Sequence, residues 1–328
     1  MQTILISLVS EQTIPNVRFI KEFIDEVDKF IFITTQEMLN KEKTEAQTKA
    51  LNIPKSKFAQ ITVAEFNFDK IEKTLQNANF SQKNTYLLNI TGGTKPMAIV
   101  TMTHFSDFPN AKIYYVPIGN STYRQVFPKI KTPVFQFKKS LTLEEYLKAY
   151  NLKIISQVKK HSRNLAHAQK MLNRFVETGG DIKKIDKLQH LDKMSAEDRA
   201  YYNGGWFEEY IYAKLKEKFK LNDTQIAYNV KLKLKDTENE YDAVFVYQDS
   251  IYIVECKAYN NKAVNTKIER DLYKLGAIDD YFGINANSIL ITTANIRGKA
   301  LFERAISLKV QLFHKKDLID DKFLDDLK

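Results

Sequence analysis

The chain has 328 residues, 44% of them apolar, and carries 50 Lys and Arg against 40 Asp and Glu, a formal charge of +10. That length suits two domains with ordinary cores, and the positive balance favours anionic partners. A single cysteine, Cys256, excludes a disulfide framework, and no apolar run approaches membrane-spanning length, so a cytoplasmic protein with no membrane partner is expected.

Residues 3–9 (TILISLV) form a short apolar run, as a buried parallel strand does, and lack the flanks of a signal peptide. A polar loop, SEQTIPN (10–16), leads into a helical pattern through Val17, Ile20, Phe23, Ile24 and Val27. Strands then follow at 29–35, 58–66, 84–91 and 111–118, separated by helical patterns at 37–53, 68–78 and 96–108. Strands alternating with helices predict an open α/β domain with a mostly parallel sheet. In such sheets ligands bind beyond the carboxyl ends of the strands, where SEQTIPN and TGGTKP lie.

The stretch NITGGTKPM (89–97) has the composition of a phosphate cradle. Gly92 and Gly93 let backbone N–H groups converge, and the helix start beyond them adds unsatisfied N–H groups and a positive dipole end. Pro96 suits a first helical turn, Thr91 and Thr94 offer hydroxyls, and Lys95 offers a cation. It is not a Walker A loop, which needs Gly before the lysine and Ser or Thr after it. Thr94 and Pro96 stand there instead.

Residues 129–145 read as a connecting ribbon and 142–177 as a long helical stretch, giving a helical linker over 142–199 between a first domain (1–141) and a second (200–328). From Tyr146 to Val176 the stretch holds Lys148, Lys153, Lys159, Lys160, Arg163, Lys170 and Arg174 and no acid, the pattern of a solvated basic face. His161 and His167 show no metal-ligand spacing. Beyond 200 come a helix (GGWFEEYIYAKLKEKF), strands at 225–235, 241–247 and 250–257, a helix near 265–282, a strand SILITT, a helix at 298–306 and a strand VQLF, an α+β unit on a mixed sheet.

In EYDAVFVYQDSIYIVECK (240–257) Asp242 opens one strand, and the next ends with Glu255 and Lys257. A period of two puts Glu255 and Lys257 on one face and Val254 and Cys256 on the other. Two carboxylates offer hard oxygen ligands for Mg²⁺ or Mn²⁺, and the lysine can position water and neutralise charge on phosphate. The D-x(12)-E-x-K pattern resembles the PD-(D/E)xK nuclease superfamily. The resemblance implies Asp242, Glu255 and Lys257 as catalytic, with Asp242, Glu255 and the backbone carbonyl of Cys256 holding the metal. It also implies a helical Glu at the site, Glu208 in preference to Glu209. Lys274, or Tyr273, on the following helix is a candidate for the scissile phosphate.

With SEQTIPN and NITGGTKPM before it, the whole chain resembles the CARF-domain effector nucleases of type III CRISPR systems, the Card/Can group. The resemblance implies a Rossmann-like N-terminal domain that dimerises and binds a cyclic oligoadenylate, typically cyclic tetra-adenylate. It implies a C-terminal restriction-endonuclease-like domain that then cuts DNA or RNA in antiviral defence. Ser10, Gln12, Thr91, Gly92, Gly93, Thr94 and Lys95 would line the ligand pocket, with Asn120 a further candidate. Two other readings are a ligand-sensing regulator that grips nucleic acid without cutting it, and a restriction-type nuclease not controlled by a cyclic nucleotide.

Overall fold

The structure, a computed structural model, describes residues 1–158, 165–181, 184, 193–234, 237–259, 265–277, 281–319 and 322–327. The chain divides into two compact units, Met1–Leu152 and Lys153–Lys328. Among the described residues no helix is long and apolar enough to cross a membrane.

The first unit runs β1 (Thr3–Leu8), α1 (Ile14–Phe23), β2 (Lys29–Thr34), α2 (Gln36–Asn40), α3 (Lys43–Ala50), β3 (Phe58–Thr62), α4 (Phe68–Asn77), β4 (Thr85–Asn89), α5 (Lys95–Ser106), β5 (Ala111–Tyr115), β6 (Thr122–Phe127), β7 (Val134–Gln136) and α6 (Leu143–Ala149). Its sheet has the order β3-β2-β1-β4-β5-β6-β7. The first five strands are parallel, and β6 and β7 add an antiparallel edge. The strands bury side chains on both faces, Ile4, Ile6 and Leu8 as well as Leu5 on β1, which explains their unbroken apolar runs. The chain moves outward from β1 through β2 to β3 and then returns to place β4 on the other side of β1. The order therefore reverses between β1 and β4, and a crevice opens at their carboxyl ends.

The helix expected over 37–53 is two helices, because Glu42 takes a left-handed conformation (φ 51°) between them. β6 (Thr122–Phe127) lies just before the stretch expected as a connecting ribbon, and β7 (Val134–Gln136) lies inside it. Residues 142–177, expected as one helix, hold α6, a strand β8 (Lys153–Val158) and α7 (Leu165–Glu177). A capping box of Thr142 and Glu145 starts α6. It stops at Asn151, whose φ of 60° turns the chain while the Leu152 N–H bonds back to the Leu147 carbonyl at 2.9 Å. Ile154 and Ile155 then favour extension, and β9 supplies the pairing partner. The expected helical linker is thus shared between the units. Lys159, Lys160, His161 and Arg163 lie outside the described residues.

After α7 the second unit continues through α8 (Ala196–Ala200), α9 (Trp206–Lys218), β9 (Ile226–Leu234), β10 (Thr237–Tyr247), β11 (Ser250–Lys257), α10 (Asn265–Gly276), β12 (Ala286–Thr292), α11 (Ala300–Ser307), β13 (Val310–Phe313), α12 (Lys315–Ile319) and α13 (Lys322–Asp326). The sheet order is β13-β12-β11-β10-β9-β8. β8 to β11 pair antiparallel, and β11, β12 and β13 pair parallel. α7 and α9 bury Phe175, Trp206, Phe207, Tyr210 and Ile211 against Ala243, Phe245, Val254, Cys256, Ile289 and Ile291. Each large apolar side chain so covered contributes up to about 1.5–3 kcal/mol. With Val254 and Cys256 committed to this core, the alternation of β11 turns Glu255 and Lys257 away from it.

Candidate active site and ligand-binding loops

The carboxylates meet where sheet pairing ends. β10 and β11 are in register from Tyr247↔Ser250 to Ala243↔Val254. One step on, the Asp242 carboxylate takes over the ladder and accepts the Cys256 N–H at 2.6 Å. Lys257 Nζ lies 2.6 Å from Glu255 Oε1 and 3.7 Å from Asp242 Oδ2. Lys274 Nζ, from α10, reaches the same Glu255 oxygen at 3.4 Å. α10 is tied to the end of β11 by the Tyr259 hydroxyl, which donates to the buried Asp271 carboxylate one turn before Lys274. Tyr273 points elsewhere, its hydroxyl accepting from Arg304 at 2.5 Å.

Burial pushes the Asp242 carboxyl up to about 7, helped by Glu255 and Glu208 and opposed by Lys257 and the Cys256 N–H. Burial also raises Glu208, with the Asn229 hydrogen bond and Lys257 pulling it down and Glu255 and Glu240 pushing it up. Glu208, at the start of α9, thus sits within the electrostatic reach of Glu255 and Lys257, whereas Glu209 is buried in the helix's packed side. Burial works to lower Lys257, but the Asp242 and Glu255 carboxylates outweigh it and hold the ammonium charged.

Among the described residues no group of three or more His, Cys, Asp or Glu side chains is gathered as a metal site. The donor set that fits a hard divalent ion is smaller: Asp242, Glu255 and the Cys256 carbonyl. Glu255 Oε2 is buried and, among the described residues, has no hydrogen-bond partner. An unsatisfied buried carboxylate oxygen is costly unless something binds it.

The two polar loops of the first unit meet at the crevice between β1 and β4. A Cβ on Gly92 would lie 2.1 Å from the Leu8 carbonyl oxygen and 3.1 Å from Ser10 Oγ, so only glycine lets the loops touch. Gly93 has φ 70°. Beneath them a buried amide chain locks the loops: Asn16 donates to the Leu8 carbonyl at 2.7 Å and Asn89 donates to Asn16 at 2.8 Å. Neither asparagine was singled out from the sequence, although both lie inside the two quoted loops.

Both threonine hydroxyls of the loop are engaged within the protein. Thr91 Oγ1 donates to Asn89 Oδ1 at 2.6 Å and accepts the Val116 N–H at 2.6 Å. Thr94 Oγ1 donates to the Glu65 carbonyl at 2.6 Å and caps α5 through the Met97 N–H. Each hydroxyl has one proton, and both are used inside the protein. The backbone N–H groups of Gly92, Gly93 and Thr94 make no hydrogen bond among the described residues, and Lys95 is exposed with no ion pair among them. Ser10 bonds the Gln12 carbonyl at 3.2 Å, and the Gln12 side chain accepts from the Tyr150 hydroxyl at 3.0 Å. Asn120 is on an exposed turn past β5, and among the described residues no hydrogen bond joins it to the other loops.

Two family models match: the Card1 CARF domain over residues 4–146 and the endonuclease domain of Card1-like proteins over 195–325. The structure of Can2 from Sulfobacillus thermosulfidooxidans in complex with cyclic tetra-adenylate is similar at 19% identity, with a TM-score of 0.75 and 98% of each chain covered. Protein VC1899 from Vibrio cholerae is similar at 17% identity, with a TM-score of 0.80 over 98% of this chain and 97% of that one. A type III CRISPR defence DNA nuclease activated by cyclic oligoadenylate is similar at 13% identity and a TM-score of 0.63, over 100% of this chain and 52% of that one. At these identities the likeness is one of fold. No curated protein matches.

Proposed function

The chain belongs to the CARF-domain effector nucleases of type III CRISPR systems, a Card1-type CARF domain followed by a Card1-like endonuclease domain, and on that premise we propose a metal-dependent nuclease of DNA or RNA that cyclic tetra-adenylate switches on. One observation carries the catalytic half: a buried Glu255 oxygen without a hydrogen-bond partner among the described residues, beside Asp242 and Lys257. Mn²⁺ or Mg²⁺ held there by Asp242, Glu255 and the Cys256 carbonyl would supply Lewis acidity and lower the pKa of water. Lys257 neutralises charge that develops on the phosphate and orients the attacking water. Lys274 approaches from the α10 side and holds the substrate phosphate in line.

For the sensing half, the N–H groups after β4 that make no hydrogen bond among the described residues and the exposed Lys95 form an anion site at the switch point of the sheet. On α5, Lys95 shares one stripe with the exposed Ile99 and Met102. An apolar patch bordering an anion site supports a homodimer with the ligand lying across its two-fold axis. The ligand switches the enzyme only as far as it binds the active arrangement more tightly. The test is a cleavage panel of plasmid, single-stranded DNA and single-stranded RNA in Mn²⁺, with and without each cyclic oligoadenylate. Cleavage that requires metal, rises with cyclic tetra-adenylate and is lost in Glu255→Ala supports the proposal. Cleavage that ignores every cyclic oligoadenylate removes the sensing half, and cleavage that survives Glu255→Ala removes the catalytic half.

A further inference from the structure

Asn229 sits in the middle of β9 with φ 44°, in the left-handed region. Non-glycine residues pay for that conformation, Asn least among them, and a strand interior is an unusual place for it. Its position in the register is particular. β9 and β10 pair Tyr241↔Val230 and then Ala243↔Tyr228, and the pair between them, Asp242 with Asn229, is skipped. On its other side Asp242 stands one step past the last β10–β11 pair and uses its carboxylate on Cys256 instead. Both ladders therefore let go at Asp242, and Asn229 is the β9 residue that faces it. The half-buried Asn229 side chain comes close enough to Glu208 to favour its charged form, and Glu208 is the carboxylate that α9 brings into the field of Glu255 and Lys257.

We propose that Asn229 is a positioning residue of the nuclease site: its left-handed backbone aims the side-chain amide at Glu208 and holds that carboxylate beside Asp242 and Glu255. Strain kept at one residue of an otherwise regular strand, next to the catalytic acids, is the pattern of a functional constraint. A residue retained only for the backbone turn would be replaced well by glycine, which takes φ > 0 at no steric cost. A positioning residue would not, because glycine keeps the turn and discards the amide.

The inference rests on the nuclease reading, and Asn229→Gly separates the two. The variant should melt within about 2–3 °C of the wild type in EDTA, because the backbone need is met. Its kcat in Mn²⁺ should fall about 10- to 100-fold, the usual effect of losing an outer partner of a metal site, with KM for nucleic acid within about threefold. Its Mn²⁺-induced rise in melting temperature should shrink. Because Asn229 acts through Glu208, Asn229→Gly in a Glu208→Gln background should cost nothing further. Wild-type kcat and Mn²⁺ response in Asn229→Gly, or losses that add in the double variant, overturn the role of Asn229 alone. A wild-type protein that neither cuts nor responds to Mn²⁺ overturns the nuclease reading and this inference with it. Should Asn229→Gly fail to fold, Asn229→Ser is measured in the same cycle, and additive losses there overturn the proposal equally.

Discussion

Asp242→Asn should make the metal-free protein more stable while abolishing cleavage. Burial and two neighbouring carboxylates displace the Asp242 carboxyl from 3.8 to about 7. Between these values the folded state binds a proton that the unfolded chain has released, so stability falls as pH rises from about 4 to about 7. Above pH 7 the whole cost is present, on the order of 4 kcal/mol for a displacement of this size. Asparagine removes the charge, keeps an oxygen for the Cys256 N–H and adds an amide that needs a partner, which offsets part of the gain. A net stabilisation of about 1–3 kcal/mol at pH 8 in EDTA is expected, shrinking toward zero at pH 4. Trp206, the chain's one tryptophan, is buried in the core of the second unit, so its fluorescence in a urea titration reports that unit by itself. Mn²⁺ at pH 8 should stabilise the wild type by relieving the same repulsion, and leave the variant nearly unchanged. Parallel pH dependence of wild type and variant between pH 4 and 8, or a variant less stable at pH 8, would refute the electrostatic reasoning.

Gly92→Ala places a methyl 2.1 Å from the Leu8 carbonyl oxygen, so the two loops must part. Affinity for cyclic tetra-adenylate by isothermal titration should fall more than about tenfold, or 1.4 kcal/mol, and an unaltered Kd would count against the loop pocket. Ile99 is 54% exposed on the α5 stripe that carries Lys95, so Ile99→Glu should turn a dimer into a monomer in sedimentation velocity and weaken ligand binding. An unchanged mass would move the interface elsewhere.

Continuous apolar runs such as TILISLV and KFIFITT were legible because strands buried on both faces have little freedom in composition. The Asp242, Glu255 and Lys257 arrangement was legible because a hairpin fixes both register and alternation. β8 was not, since Lys153–Val158 becomes a strand only when β9 offers a partner, and helical spacing in the same residues competes with it. Asn229 left no trace either: the segment IAYNV (226–230) does not announce a left-handed residue inside a strand. For the threonines of NITGGTKPM the sequence shows the chemistry and not the partners. Their hydroxyls have the right chemistry for phosphate, but residues far away in sequence, Glu65 and Val116, claim them first.

The two sites share a physical solution to one problem. A functional group at the end of a strand needs the neighbouring backbone to splay, yet every buried N–H left behind needs an acceptor. In the first unit β4 and β5 part after Asn89↔Tyr114, and the Thr91 hydroxyl accepts the Val116 N–H at 2.6 Å. In the second unit β10 and β11 part after Ala243↔Val254, and the Asp242 carboxylate accepts the Cys256 N–H, also at 2.6 Å. In each case a side chain continues the ladder by one bond while the main chain turns away. That bond, charge-assisted at Asp242, helps hold the side chain that makes it in one orientation. Asp242 therefore holds the end of β11 as well as its own place beside Lys257, and a substitution that keeps an acceptor oxygen there separates the two roles where alanine would merge them.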